Sequence, residues 1–260
     1  MGLLDFLVGS AGAEASLDEI RSLARSNTAF SLQMAIKDIE AGKSSGAFAI
    51  GSMFESGQTL LGESNFPKSH AKALSWKLKA ANDGNEQAQT QLGYLYFFGE
   101  TAKGNIVKKR SYLDALQWFS KAAGSGGFYA NYALGEIYLK GFGVACDNAL
   151  AFNWFQKSIN HRWAKQFGFY DAAARMAEMY ADGQGTQQDF VQSYKWGNIS
   201  GLLDGRALGK SLDLKERMTA SQIDRALVEA AEWLRGAAPR VNTHPGYLLA
   251  EGCWPPSRVF

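Results

Sequence analysis

Tyr132-Ala133-Leu134-Gly135-Glu136-Ile137-Tyr138-Leu139-Lys140-Gly141-Phe142-Gly143-Val144, followed by Asp147, Ala151, Trp154 and Phe155, is one of four versions of a single phrase in this chain. Steps of 42 residues in either direction land on similar residue types. The column of Leu134 reads Ile50, Leu92, Leu134, Met176; that of Tyr138 reads Phe54, Tyr96, Tyr138, Tyr180; that of Gly141 reads Gly57, Gly99, Gly141, Gly183. Four tryptophans, Trp76, Trp118, Trp154 and Trp196, sit one in each copy. A unit repeated in this way cannot bury its apolar face alone, so successive units must stack and share a core.

Each copy reads as two short helices. In the second copy Ala88, Leu92 and Tyr96 recur at i, i+4 and i+8, and Ala115, Leu116, Phe119, Ala122 and Ala123 form a second stripe. Gly99 and Gly124 end the two helices, since glycine tolerates the left-handed conformation that helix C-termini often need. Gly51, Gly93, Gly135 and Ala177 lie inside the first helix of each copy. A glycine there costs about 1 kcal/mol in helix propensity, so it predicts a neighbouring helix in close approach. All five prolines, Pro67, Pro239, Pro245, Pro255 and Pro256, fall outside the predicted helices.

These columns resemble the Sel-1-like repeat, a relative of the tetratricopeptide repeat. The resemblance covers Ser45 to about Gly205 in four copies, at about 45–84, 85–126, 127–162 and 163–205. It implies an all-α fold, a right-handed α-α superhelix (solenoid) of antiparallel helix pairs. It also implies a role as adaptor or scaffold for other proteins, often in bacterial signalling, envelope or secretion systems, and it implies no reaction.

The flanks read as degenerate terminal pairs. Gly42 stands 42 residues before Gly84 and Met34 stands 42 before Trp76, so Asn27 to Ala41 is the second helix of an earlier pair within 1–44. Its partner opens at Ser16-Leu17-Asp18-Glu19, a capping-box pattern. Thr219-Ala220-Ser221-Gln222 is another such box, in a C-terminal capping pair over 206–238, and Gly236 closes its helix. The tail 239–260 carries Tyr247, Leu248, Leu249 and Trp254 among four of the prolines.

At 260 residues, 46% hydrophobic and 20% charged, the chain can bury a core, and its periodicity argues for one elongated domain rather than two globular ones. The balanced charge, +2, and the lack of a long basic run argue against nucleic acid as partner. Nothing approaches eighteen consecutive apolar residues, so no membrane span is expected. Met1 to Val8 is apolar but has Asp5 inside it and no Lys or Arg before Arg21, a poor signal peptide despite the small residues Ala11-Gly12-Ala13. The cytoplasm is the expected compartment, the periplasm the alternative if a leader has been removed.

Enzyme signatures fail one by one. Cys146 and Cys253 are the only cysteines and form no repeated column, so Cys146 reads as a free loop thiol. His70, His161 and His244 are the only histidines, and none is spaced for zinc. Gly205-Arg206-Ala207-Leu208-Gly209-Lys210-Ser211 resembles a phosphate-binding loop but has one residue too few between the glycines and no strand before it. Gly124-Ser125-Gly126-Gly127 reads as a turn between helices. No catalytic residue, cofactor or metal is expected.

Between the conserved columns runs a stripe that does not repeat. Positions 45, 49, 52 and 56 become Gln87, Gln91, Tyr94, Phe98, then Tyr129, Ala133, Glu136, Lys140, then Asp171, Arg175, Glu178, Asp182. By resemblance the first helices line the concave side, so this is the expected groove, with Tyr94, Phe98, Tyr129, Glu136, Lys140, Asp171, Arg175, Glu178 and Asp182 as partner-binding residues. The loops offer a second surface. The glycine-to-tryptophan distance is 19 residues in the first two copies and 13 in the last two, so the former carry six-residue insertions. The connector before the fourth copy adds Arg162, Trp163 and Phe167. The expectation is a non-enzymatic, monomeric protein that binds another protein through groove and loops. An inhibitor or immunity protein of a secreted bacterial effector is its specific form, a regulatory adaptor in signalling or envelope assembly the alternative, and a hydrolase or wall-glycan binder a minor one.

Overall fold

In the computed structural model, residues 16–102, 105–108, 110–161, 171–204 and 214–236 are described. The apolar start, the connector with Arg162, Trp163 and Phe167, the glycine-rich run from Gly205, the tail with Cys253 and His244 lie outside the described residues. The backbone divides at the Gly126–Gly127 repeat boundary into two units. A Cβ added to Gly124 or Gly126 would meet nothing within 4 Å, so side chains do little packing at that turn.

The first unit contains α1 (Leu17–Ser26), α2 (Phe30–Glu40), α3 (Ser44–Ser56), α4 (His70–Asn82), α5 (Glu86–Phe98), β1 (Glu100–Ala102), β2 (Asn105–Lys108) and α6 (Tyr112–Gly124). The second contains α7 (Phe128–Lys140), α8 (Asn148–Asn160), α9 (Asp171–Asp182), α10 (Phe190–Asp204) and α11 (Ala220–Gly236). Packing is densest within the predicted pairs, α3 on α4, α5 on α6, α7 on α8 and α9 on α10. Each second helix starts at a side chain that bonds the backbone three residues on. Ser69, Ser111 and Asp147 accept from the amides of Lys72, Asp114 and Leu150, and Asp189 accepts from Gln192.

Two details of capping differ from the expectation. Gly124 is the last helical residue of α6, and the positive φ that turns the chain falls on Gly126, at 93°. Ser16 stands at the N-cap of α1 but its side chain makes no capping bond, and the Glu19 carboxylate pairs with Lys72. The box at Thr219 does form: the Thr219 amide donates to Gln222 Oε1 at 2.8 Å and the Gln222 amide to Thr219 Oγ1 at 3.3 Å.

The helix-interior glycines explain the tight pairs. A Cβ on Gly93 would lie 2.5 Å from Phe119 Cδ1 and Cε1, and one on Gly135 would lie 2.6 Å from Phe155 Cδ1. Both rings are fully buried. In the first copy Lys77 stands where Phe119 and Phe155 stand later; its stem lies on Gly51 and its ammonium reaches Glu55 at 2.6 Å. In the fourth copy Gly197 holds that position opposite a column that has become Ala177. Small against large is thus kept in the two central copies, whereas in the last both positions are small.

The tryptophan column is buried at Trp76, Trp118 and Trp196 and half-buried at Trp154. Three residues later Lys79, Lys121 and Lys157 place their ammonium groups 5.2, 4.2 and 4.1 Å from the ring centroids. That Trp-x-x-Lys spacing is visible in the sequence of the first three copies.

Both insertions carry backbone pairing among their described residues. In the second, β1 and β2 form an antiparallel ribbon pairing Glu100 with Lys108 and Ala102 with Asn105. It is the one sheet among the described residues, and the fold class stays all-α. In the first, Gln58 bridges Asn65 and Phe66 is buried edge-on to Phe54 at 4.9 Å. Glu63 accepts from the amides of Phe30 and Ser31 at 3.0 and 3.1 Å and from the Ser31 hydroxyl at 2.6 Å. The N-terminus of α2, whose own N-cap is Ala29, is therefore capped from the insertion.

Candidate partner-binding surface

In the second repeat the variable stripe is half-buried rather than open. Tyr94 packs edge-on against Phe119 of its own repeat at 4.9 Å and lies parallel to Phe98 at 6.0 Å. Phe98 also meets Phe97 edge-on at 5.0 Å, and its carbonyl accepts from Arg110 Nε at 3.3 Å. These rings, expected on the partner-facing side, share their area between solvent and the repeat's own core. The Gln91 side-chain oxygen next to them is buried without a hydrogen-bond donor.

The second unit corrects one assignment outright. Glu136, expected to face a partner, is fully buried. Its carboxylate is gripped by Arg175 of the next repeat, Nε to Oε1 at 2.6 Å and Nη2 to Oε2 at 3.4 Å, and Arg175 Nη1 reaches Glu178 at 3.1 Å. Burial pushes the Glu136 carboxyl up, against the downward pull of the guanidinium. Burial depresses the guanidinium, but Glu136, Tyr132 and Glu178 together outweigh this and raise it. The buried Tyr132 phenol is raised, first by burial and then by the Glu136 charge. Glu136 and Arg175 are 39 residues apart, one repeat less about one helical turn. Opposite charges at that offset on neighbouring first helices were a readable signal for an ion pair between repeats.

What this leaves open to a partner is Lys140, Asp171 and Asp182, which are exposed, and Tyr129, Arg175 and Glu178, which are partly buried. Arg175 is committed to two carboxylates, so the accessible charge at α9 is acidic. The alternative loop residues Arg162, Trp163 and Phe167 lie outside the described residues.

Among the described residues no group of three or more His, Cys, Asp or Glu is placed to hold a metal ion, and no helix is long and apolar enough to cross a membrane. Cys146 is a free, exposed thiol. His161 lies nearly parallel to the Phe128 ring at 5.6 Å.

The Sel1 repeat matches residues 44–85, 86–127, 128–161 and 171–200, more than half of the chain. The chain belongs to the Sel1 repeat family. Sel1 repeat proteins are generally protein-interaction scaffolds, and the fold is generally a non-catalytic one. Among solved structures the chain is similar to c5321, described as a protective antigen present in uropathogenic Escherichia coli strains displaying an SLR fold. The TM-score is 0.53 at 24% identity over 85% of this chain, and the chain spans 53% of that protein's length. It is also similar to a Sel1 repeat protein from Oxalobacter formigenes, with TM-score 0.53 and 23% identity over 82% of this chain and 77% of the other. Both show the all-α repeat solenoid fold. No curated protein matches the sequence.

Proposed function

We propose that this Sel1 repeat chain is a non-catalytic scaffold that binds one partner protein. The observation that carries the reading is the contrast between columns. Core positions keep their type from copy to copy, whereas the stripe on the first helices changes completely and, in the second unit, ends in exposed Asp171 and Asp182. A surface that repeated would suit a repetitive ligand; one that does not suits a single partner. Neutralising one secreted bacterial effector is the form of scaffold we infer, because a unique face with acidic charge at one end fits one basic surface.

The test is affinity capture from native lysate, identification of the partner by mass spectrometry, and calorimetry on the purified pair. Asp171→Lys with Asp182→Lys should weaken binding, mainly by slowing association, and should flatten or invert the fall of the on-rate with salt. If both reversals bind as the parent does at low salt, the acidic end of the stripe is not the recognition surface. A captured partner that is the chain's substrate, turned over on incubation, would overturn the non-catalytic reading.

A further inference from the structure

The first unit exposes a face that the repeat columns lead one to expect covered. Met34 occupies the tryptophan column one step before Trp76. Trp76, Trp118 and Trp196 are 1%, 5% and 7% exposed, whereas Met34 is 41% exposed and Phe30, one turn earlier on α2, is 65% exposed. Lys37 continues the same face, at the i, i+4, i+7 spacing by which one helix packs on another.

The first insertion adds to this face. Thr59 to Gly62 is a turn closed by the Gly62 amide on the Thr59 carbonyl at 2.8 Å. Its central residues are Leu60 and Leu61, 38% and 53% exposed. Turn centres usually hold Gly, Pro, Asn, Asp or Ser, each for a backbone reason that leucine lacks. The turn is also fastened down. Glu63 caps α2, the Ser64 hydroxyl donates to Asn27 Oδ1 at 2.9 Å, and Asn27 Nδ2 donates to the Asn65 carbonyl at 3.3 Å. The leucines are thereby held at the end of α2 that carries Phe30.

The carboxylates of this region are taken up within the unit. Asp18 and Glu40 pair with Arg21, Glu19 with Lys72 and Asp38 with Lys43, and Glu63 is taken up by amides and a hydroxyl. Arg25, Lys37 and Lys68 are exposed and make no ion pair among the described residues.

We propose that this face docks an amphipathic helix of a partner protein, its apolar side chains on Phe30, Met34, Leu60 and Leu61 and its carboxylates toward Arg25, Lys37 and Lys68. Half of the patch is the side of a helix rather than a loop tip, which favours a packed helix over a bilayer. None of these residues belongs to the variable stripe, so the inference stands or falls apart from the proposed groove.

The probe is a fluorescently labelled peptide of about 18 residues, leucines at i, i+3, i+4 and i+7 with flanking glutamates, titrated with the full chain and read by anisotropy. The parent should bind it. Leu60→Asp with Leu61→Asp, and separately Phe30→Ser, should each weaken binding at least about tenfold while the thermal melt stays put, as should replacing the peptide's glutamates by lysines. Asp171→Lys with Asp182→Lys should bind it as the parent does. Equal binding by the leucine variants overturns the proposal. So does absence of peptide binding with retention on mixed phosphatidylcholine and phosphatidylglycerol vesicles, which would make the face a lipid contact. A dimer abolished by the leucine changes would make a second copy the occupant. Peptide binding seen only after deletion of residues 2–15 would make the chain's own start the occupant.

Discussion

Gly93→Ala is the smallest change that tests how the helix pairs are built. In a helix interior the substitution alone gains about 1 kcal/mol through propensity. Here the new methyl would lie 2.5 Å from two carbons of Phe119, where ordinary contact is 3.4–4 Å. Phe119 is fully buried and has Tyr94 edge-on at 4.9 Å, so the ring has no free direction in which to move. Overpacking of this kind costs about 1–3 kcal/mol, and an overlap near 1 Å against a confined ring belongs at about 3. The expected net loss is therefore about 2 kcal/mol. Urea unfolding followed at 222 nm measures it as a lower midpoint at unchanged slope. Gly124→Ala in the same unit, where nothing lies within 4 Å, is the control and should be neutral or slightly stabilising. Adding Phe119→Leu to Gly93→Ala should recover part of the loss, since the smaller side chain yields room. If Gly93→Ala is as stable as the Gly124→Ala control, the close approach of α5 and α6 is wrong and the glycine column needs another cause.

Trp76→Ala should cost about 3 to 5 kcal/mol, read from the same urea curves, because the indole is almost fully buried. Glu136→Ala should cost about 3 kcal/mol, the lower end of the range for breaking a buried pair, since Arg175 keeps some access to water. Glu136→Leu with Arg175→Leu should come out near neutral, and a double variant as damaged as the single one would show that the pair is not what matters there. The Ser31 hydroxyl and the amides of Ser31 and Phe30 hold Glu63 below the usual carboxylate range. Its contribution is accordingly complete above a pKa of about 4.3, the unfolded value, and is lost as pH falls through the lower folded value. The Phe30 and Ser31 amide shifts, followed by NMR, should titrate with a midpoint under about 4.3 in the parent and not at all in Glu63→Gln.

Much of the fold was legible because it is written four times. The column of Tyr138, the tryptophans and the interior glycines each recur, so noise in one copy is corrected by the others. Helix stops were less legible: Gly124 and Gly126 are both glycines, and only the backbone distinguishes the helical one from the one at positive φ. The pairing of Glu100–Ala102 with Asn105–Lys108 was not foreseen, because the insertions of the first two copies differ in sequence and give no apolar column to read. The candidate surface was legible only as a position. The stripe was found by its failure to repeat, yet the same absence of repetition hid that Glu136 is buried against Arg175 and that Tyr94 leans on Phe119. Which side of a half-buried helix a long side chain takes depends on its neighbour in the next repeat, and a single column does not contain that neighbour.

The cap that Glu63 places on α2 crosses thirty-two to thirty-three residues of chain. A ribosome makes α2 first, with Ala29 at its N-cap and the orphan amides of its first turn left to water. Only when the insertion has emerged does the carboxylate that closes that turn exist. Synthesis runs from the start of the chain, whereas completion of this helix pair runs backward from the repeat that follows it. A released chain ending shortly after Ser56 should therefore show α2 frayed at its start, and a nascent chain long enough for Glu63 to have left the ribosome should show it closed.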